Sequence, residues 1–298
     1  MSGETLTSAE YIRHHLQNLT YGKLPDGTWG FAHNAAEAKA MGFWAFHVDN
    51  LLMSALLGVI FLSLFWLAAR RATANVPSGL QNFVEWVVEF IDGAVKGSFT
   101  GKNAMVAPLA LTIFFWVFMM NFMDLIPVDL FPFIWAYGIP FVHDHNDDGL
   151  HALFGMPDYF SVVATADMST TLGLALAGLL MCFYYNIKIK GWGGWGHELV
   201  SAPFGTSKNP FLAVILALIN FPMQIIEYLA KTISHGMRLF GNLFAGELIF
   251  MLIALLGGYA AFTLGGGMLF IGHLIAGTLW AIFHILVITL QAYIFMML

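Results

Sequence analysis

Charged residues are scarce in this sequence. Only 10% of the 298 residues are Asp, Glu, Lys or Arg, whereas a typical soluble domain has about 25%. Hydrophobic residues make up 59% of the chain, and the mean hydropathy is +0.75. This balance excludes an ordinary soluble protein. Because the apolar runs are long, it predicts an all-α polytopic membrane protein that satisfies its backbone hydrogen bonds within helices.

Cysteine is almost absent as well. The single Cys182 lies in an apolar run, which excludes a disulfide within the chain and a metal site built on cysteines. The first 47 residues contain no apolar core of seven or more residues, so we expect no signal peptide. The sequence also lacks an HExxH motif, which argues against an intramembrane metalloprotease. The His143–Asp148 run is rich in metal-ligand types, but we interpret it as a solvated loop and expect no metal site.

Five apolar segments are long enough to cross a membrane. They are residues 48–69, 105–123, 168–187, 210–256 and 268–298. The first three match the thickness of a bilayer, because about 20 helical residues span its hydrocarbon core. The last two are too long for upright spans, so we expect them to be strongly tilted and to form a hairpin. Apolar residues at helical spacing within 80–95 predict an additional amphipathic helix.

The basic residues predict the orientation of these segments. Arg70, Arg71, Lys96, Lys102, Lys188, Lys190 and Lys208 all fall in loops on one side. Residues 124–167, on the other side, contain seven Asp and no Lys or Arg. By the positive-inside rule, the N-terminal tail (1–47) and the 124–167 loop are expected on the periplasmic side and the C-terminus in the cytoplasm. We treat residues 1–298 as a single membrane domain.

The fourth apolar segment carries polar residues at regular intervals. They are Asn220, Gln224, Glu227, Lys231, Ser234, Arg238 and Asn242. With about 100° of rotation per residue, these positions stay within roughly 40° of one line along a helix. They therefore form one polar stripe, which we call the 220–242 stripe. Ionisable residues are costly in a bilayer, so each is a functional candidate.

A second acid in this segment lies off the stripe. Glu247 comes nine residues after Arg238, which turns it by about 900° to the opposite helix face and moves it about 13 Å along the axis. Arg cannot lose its proton in a protein, so Arg238 can act only as a fixed positive charge. Glu and His side chains can relay protons. In the last segment His284 and Gln291 share a helix face, and Glu247 with His284 forms a plausible relay pair.

Three stretches carry a specific resemblance to a known family. They are Met120–Pro127 (MNFMDLIP), Met237–Leu248 (MRLFGNLFAGEL) and Trp280–Tyr293 (WAIFHILVITLQAY). These stretches resemble the signature of subunit a of the bacterial F-type ATP synthase. The resemblance implies a hairpin of tilted helices wrapped against a rotor ring of c subunits.

The resemblance also implies roles for individual residues. Arg238 matches the stator arginine that faces the rotor ring. Glu247, His284 and Gln291 match polar residues of a periplasmic half-channel, Asn242 matches the asparagine one turn from the arginine, and Asn121 matches a polar residue at the channel mouth. For the cytoplasmic half-channel the candidates are Glu227, Lys231 and Ser234. Many relatives carry Glu at the position of Gln224, and we expect Glu227 to substitute for it.

The implied function is H⁺ transport coupled to rotation and ATP synthesis, in a subunit that is not itself an enzyme and uses no cofactor. The implied partners are the c ring, the b-subunit peripheral stalk, the remaining ATP synthase subunits and the lipid bilayer of a bacterial inner membrane. No nucleic-acid partner is expected. The sequence leaves Na⁺ open as the transported ion, because the rotor site largely sets that choice.

An independent ion-coupled secondary transporter is the alternative function. Such a transporter predicts an inverted repeat, but the motifs at 238–247 and 284–291 do not recur in the first half of the chain. A purely structural membrane anchor has no need for Arg238 on a membrane helix. The sequence therefore favours the ATP synthase subunit.

Overall fold

The computed structural model describes residues 16–73, 76–99, 101, 103–126, 130, 161–205, 209–258 and 264–297. Most of the predicted outer loop lies outside these residues, including His143–Asp148. The described residues are mainly helical. The helices are α1 (Ala35–Ala40), α2 (Val48–Arg70), α3 (Gly79–Ser98), α4 (Val106–Phe122), α5 (Met168–Ser201), α6 (Pro210–Gly258) and α7 (Leu264–Met297).

Five of these helices are long and apolar enough to cross a membrane: α2, α4, α5, α6 and α7. This confirms the predicted all-α polytopic class with five membrane segments, and α3 lies where the amphipathic helix was expected. At 49 residues, α6 would be about 74 Å long as a straight helix. Pro222 lies inside it without ending it. The tilt of α6 and α7 against a rotor stays a prediction.

Helical residues continue past the predicted third segment, which ends at residue 187, as far as Ser201, and a kink divides them. Gly191 lies at the kink, and its φ of 70° and ψ of 167° are not helical, so a second helical stretch follows it. Only glycine adopts such a conformation readily.

A small sheet precedes the first membrane helix, and the sequence analysis did not predict it. Its strands β1 (Thr20–Lys23), β2 (Trp29–Phe31) and β3 (Phe46–His47) pair antiparallel in the order β2-β1-β3. In the β1–β2 turn, Gly27 has a φ of 87°. The Asp26 carboxylate accepts hydrogen bonds from the Thr28 hydroxyl (2.7 Å) and backbone N–H (3.0 Å), and these bonds lower the pKa of Asp26.

The sheet is joined to α2 without a linker, since β3 ends at His47 and α2 begins at Val48. Asp49, fully buried in the first turn of α2, strengthens this junction. Its Oδ2 atom accepts hydrogen bonds from the backbone N–H groups of Leu19 (2.8 Å) and Ser161 (3.0 Å). One carboxylate thus binds the sheet, the first membrane helix and the chain before α5, and charge-assisted bonds of this kind are among the stronger ones in proteins.

The chain divides into two compact units. The first comprises residues 1–166 and 242–298, and the second comprises residues 167–241. In the first unit α2 packs on α4, where the rings of Phe61 and Phe115 stack at 5.2 Å and the Trp116 indole N–H donates to the Ser54 carbonyl at 2.9 Å. In the second unit the Phe183 ring of α5 contacts the Tyr228 ring of α6 at 5.1 Å.

Candidate functional site

Buried polar side chains gather inside the first unit, on three helices that are distant in sequence. Asn121 and Asp124 come from the end of α4 and the turn after it, Glu247 comes from α6, and His284 and Gln291 come from α7. Each side chain is at most 8% exposed. Because desolvating ionisable groups is costly, a buried group of this composition within membrane helices is a candidate functional site.

The closest contact in this group joins an acid and an imidazole. His284 Nε2 lies 2.6 Å from Asp124 Oδ2, and the two residues are only 1% and 3% exposed. Among the described residues neither atom has a partner with hydrogen-bond geometry, so the two groups lie at ion-pair distance without an aligned hydrogen bond. Carboxylate and imidazole groups can both take up and release protons, which makes this pair a candidate for proton relay.

Glu247 is brought to this pair by the glycine before it. A Cβ atom built on Gly246 would lie 2.3 Å from His284 Cε1 and 3.1 Å from Asp124 Oδ2. Only a glycine therefore allows α6 to approach the pair so closely. The adjacent Glu247 is buried and interacts electrostatically with Asp124. We call Asp124, Glu247 and His284 the buried triad.

Aromatic rings hold the imidazole in place. The Phe250 ring meets the His284 ring edge-on at 5.3 Å, and the Trp280 ring stacks against it at 6.1 Å with an interplanar angle of 29°. Phe250 lies on α6, and Trp280 precedes His284 by one turn on α7. These contacts fix the orientation of the His284 ring, with Nε2 close to Asp124 Oδ2.

A further polar contact joins α6 and α7. The Asn242 side-chain amide donates to Gln291 Oε1 at 2.9 Å. Gln291 is buried, whereas Asn242 is largely exposed. The contact thus leads from the interior of the unit to its surface. Asn242 and Glu247 lie on α6, and Gln291 and His284 lie on α7, so the same two helices position the triad and this pair.

Asn121 is buried near the end of α4. Among the described residues, neither of its side-chain amide atoms has a hydrogen-bond partner. Buried amides are nearly always satisfied, and ordered water is the usual partner where protein groups are lacking. Asn121 precedes Asp124 by three residues, so its amide lies near the triad in the chain.

The 220–242 stripe does not behave as one set. Asn220 is buried, and its amide donates to the carbonyls of Val200 (2.8 Å) and Gly205 (3.2 Å), so it holds the chain segment after α5. Glu227 and Lys231 form an ion pair of 2.6 Å on the exposed surface of α6. Ser234 and Arg238 are also exposed. Arg238 is therefore not packed in the interior of its own unit, unlike Glu247.

Asp124 is the site residue that the sequence analysis missed. It was counted among the aspartates of the 124–167 loop, and the structure instead buries it in the helical turn Met123–Leu125 directly after α4. Its contact with His284 depends on the packing of α4 against α7, which the sequence does not display. One signal was present, because Asp124 belongs to the MNFMDLIP motif. Within the described ranges, no group of three or more His, Cys, Asp or Glu side chains is arranged so that it could hold a metal ion.

Comparison with known proteins gives one consistent family. The family described as ATP synthase A chain matches residues 51–298. The chain is 53% identical to ATP synthase subunit a of Paracidovorax citrulli (strain AAC00-1) over 296 residues, which are 98% of this chain and 93% of the relative. It is 50% identical to the subunit of the same name from Thiobacillus denitrificans (strain ATCC 25259 / T1), over 99% of this chain and 95% of that protein. A Pseudomonas putida (strain GB-1) protein of this name is also 50% identical, over 98% of this chain and 94% of the relative.

Proposed function

Because the chain belongs to the ATP synthase A chain family, we propose that it conducts protons through the membrane sector of an F-type ATP synthase by way of its buried triad. The chain is a multi-pass membrane component of the complex, and ATP chemistry belongs to the complex as a whole. The observation that carries the proposal is the 2.6 Å contact between His284 and Asp124, with Glu247 beside it.

The periplasmic half-channel, in this proposal, follows the buried polar side chains of the first unit. A proton enters past Asn121, is exchanged through Asp124 and His284, and reaches Glu247. The Asn242–Gln291 contact supports a way out of the unit, because Asn242 is exposed. The proton then neutralises a carboxylate of a c-ring subunit. A neutral site can rotate through lipid, whereas a charged one would do so only at high cost.

Arg238 separates this path from a second, cytoplasmic half-channel. Its exposed position on α6 supports a role toward a neighbouring subunit. As a permanent cation, it favours the ionised form of a rotor carboxylate and blocks direct proton leakage. Glu227, Lys231 and Ser234 mark the cytoplasmic half-channel, and their exposure agrees with a path formed jointly with another chain. Each proton crossing 100 mV supplies about 2.3 kcal/mol, so several are needed per ATP.

The proposal includes the surroundings of the chain. The subunit lies in a bacterial inner membrane with a periplasmic N-terminus and a cytoplasmic C-terminus. It assembles with the c ring, with the b subunits of the peripheral stalk and with the remaining ATP synthase subunits. The transporter alternative has no support from the comparisons, because every relative described above is an ATP synthase subunit a.

The test is proton flux through membrane vesicles from which the catalytic sector has been stripped. Glu247→Gln removes the titratable group while keeping the shape of the side chain. We expect the flux to fall by about 100-fold, since a positioned acid–base group typically contributes 10²–10⁴-fold. Glu89→Gln is the matched control, because Glu89 is exposed on α3, and its flux should equal that of the wild type. Wild-type flux from fully assembled Glu247→Gln complexes would remove Glu247 from the path.

A further inference from the structure

The small sheet before α2 has two different faces. Tyr21 pairs directly with Phe31 on one side and with Phe46 on the other, and Lys23 pairs with Trp29. Directly opposed residues of antiparallel strands point to the same face, as do residues two apart on one strand. Tyr21, Trp29, Phe31 and Phe46 therefore share one face with Lys23.

The opposite face is covered by the chain itself. Thr20 and Gly22 are buried there, and a Cβ built on Gly22 would lie 2.9 Å from Met41 Sδ. A Cβ on Gly30 would lie 2.9 Å from Leu24 Cδ1. The small residues of this face thus fit closely under Leu24 and the chain after α1. The sheet has its core on this side, so the aromatic face is not needed to form it.

Among the described residues, the aromatic face is partly exposed, with Tyr21 and Phe31 half-buried. Trp29 is 56% exposed and Phe46 is 47% exposed. Outside the sheet, the helical turn Gly42–Trp44 just before β3 carries Phe43 at 93% and Trp44 at 68% exposure, with their rings edge to face at 5.8 Å. We call the set Tyr21, Trp29, Phe31, Phe43, Trp44 and Phe46 the aromatic surface. Exposed large apolar side chains concentrated in one small part of a protein mark an interaction site.

Its position along the chain identifies the partner. Phe46 lies two residues before Val48, where the membrane helix α2 begins. Leu51 and Leu52, in the next turn of α2, are 57% and 52% exposed, as expected of a lipid-facing helix. The backbone bond from Val48 N–H to the Leu19 carbonyl (2.9 Å) and the Leu19 bond to Asp49 fix the sheet to this helix end. The aromatic surface is therefore held at the level where α2 enters the bilayer.

We propose that the aromatic surface binds the lipid interface, at the boundary between headgroups and acyl chains, on the side of the membrane where α2 begins. Trp and Tyr are enriched at this depth because their rings have both apolar and polar parts. Lys23, exposed on the same face, can extend its charged end to lipid phosphates. The sheet then acts as an interfacial anchor that sets the depth of α2, and it does so independently of the proton path.

Photo-cross-linking in the intact complex tests this proposal. The photoreactive amino acid benzoylphenylalanine is placed at position 43 or 44 and, as the control, at position 36. Ala36 is exposed on α1, which lies next to the covered side of the sheet. Burial of an aromatic side chain in lipid favours the buried state over the exposed state by about tenfold or more in population. We therefore expect about tenfold more phospholipid adduct at positions 43 and 44 than at position 36. Cross-links to another ATP synthase subunit, or equal lipid adduct at all three positions, would overturn the proposal.

Fluorescence provides a second measurement that needs only a conservative change. The difference in emission between the wild-type complex and the Trp44→Phe complex isolates the signal of Trp44. In vesicles of phosphatidylcholine brominated near the start of the acyl chain, this difference signal should be quenched, and aqueous iodide should have little effect. Quenching by iodide without quenching by the brominated lipid would place Trp44 in water. Protection from both quenchers would indicate a protein partner. Either result contradicts the lipid contact.

Discussion

The two parts of helix α6 differ in the burial of their ionisable side chains. Before Gly241, the side chains of Glu227, Lys231 and Arg238 are exposed, and Glu227 forms an ion pair with Lys231. After Gly241, Glu247 is buried and is accompanied by an acid from the turn after α4 and a histidine from α7. The boundary between the two compact units of the chain falls between Gly241 and Asn242.

This difference separates what the chain completes by itself from what it leaves to a partner. A buried ionisable group is tolerated when neighbouring polar groups are fixed around it, and the first unit supplies these for Glu247. Arg238, in contrast, is exposed on its helix. This difference agrees with the function proposed above, in which this chain supplies the proton-holding side chains and Arg238 acts on the rotor.

Replacing Arg238 should have the largest effect on proton pumping. Arg238→Ala should abolish ATP-driven proton pumping in inverted vesicles, because no fixed cation remains to bias the rotor carboxylate. Acidification is followed with a pH-sensitive dye. Arg71→Ala, which removes an exposed cation at the end of α2, should pump normally. Normal pumping by Arg238→Ala would refute the stator role.

The Gly246→Ala variant tests whether proton flux requires the close approach of α6 to the buried triad. The added methyl of Gly246→Ala would overlap His284 and approach Asp124. Overpacking typically costs about 1–3 kcal/mol, so proton flux through stripped vesicles should fall by roughly tenfold or more. Gly241→Ala is the matched control, because a Cβ there would meet nothing within 4 Å. Similar flux in the two variants would show that the approach of α6 to the triad is not needed.

Replacing Gln291 should have a smaller effect on proton flux. Gln291→Leu removes the acceptor of the Asn242 hydrogen bond but leaves the triad intact. The net contribution of a hydrogen bond is about 0.5–1.5 kcal/mol, so the flux should fall by roughly two- to tenfold. Thr289→Val, on an exposed position of α7, should have no effect. A Gln291→Leu flux as low as that of Glu247→Gln would extend the essential group beyond the triad.

Removing the Glu227–Lys231 ion pair should have the smallest effect, and this effect concerns the stability of the complex. Both residues are exposed, with Lys231 at 70% and Glu227 at 42%, and such pairs contribute about 0–1 kcal/mol. Lys231→Met should therefore leave the thermal stability of the complex unchanged in a melting assay. A slower flux in that variant would then report on the cytoplasmic path itself. A large loss of stability would show that the exposed part of α6 is also supported from within the chain.

Much of this arrangement was predictable from the sequence. The five apolar segments follow from their length and composition, and Arg238, Glu247 and His284 follow from motifs within them. The angular spacing also separates Arg238 from Glu247, and the two differ in burial as expected of different helix faces. These features depend on helical periodicity, which is a local property.

Other features depend on contacts between distant parts of the chain. The sequence placed Asp124 in the 124–167 loop, and its contact with His284 exists only because α4 packs against α7. The sheet at Thr20–Lys23, Trp29–Phe31 and Phe46–His47 has strands too short to show a clear alternating pattern, and its pairing relies on the Asp26–Thr28 turn and on Asp49. Asn220 shared the spacing of the 220–242 stripe, yet its amide only holds the segment after α5. Spacing alone does not distinguish such a structural residue from a channel residue.

The central claim is that Asp124 and His284 act together as one proton-holding pair. Its most direct test is proton flux through stripped vesicles that carry Asp124→Asn, His284→Gln or both changes, with assembly checked by co-purification of the membrane sector. Residues that act as a unit have strongly non-additive effects. The account predicts that the double variant is no slower than the slower single variant. Two losses that multiply in the double variant, as independent effects would, contradict it.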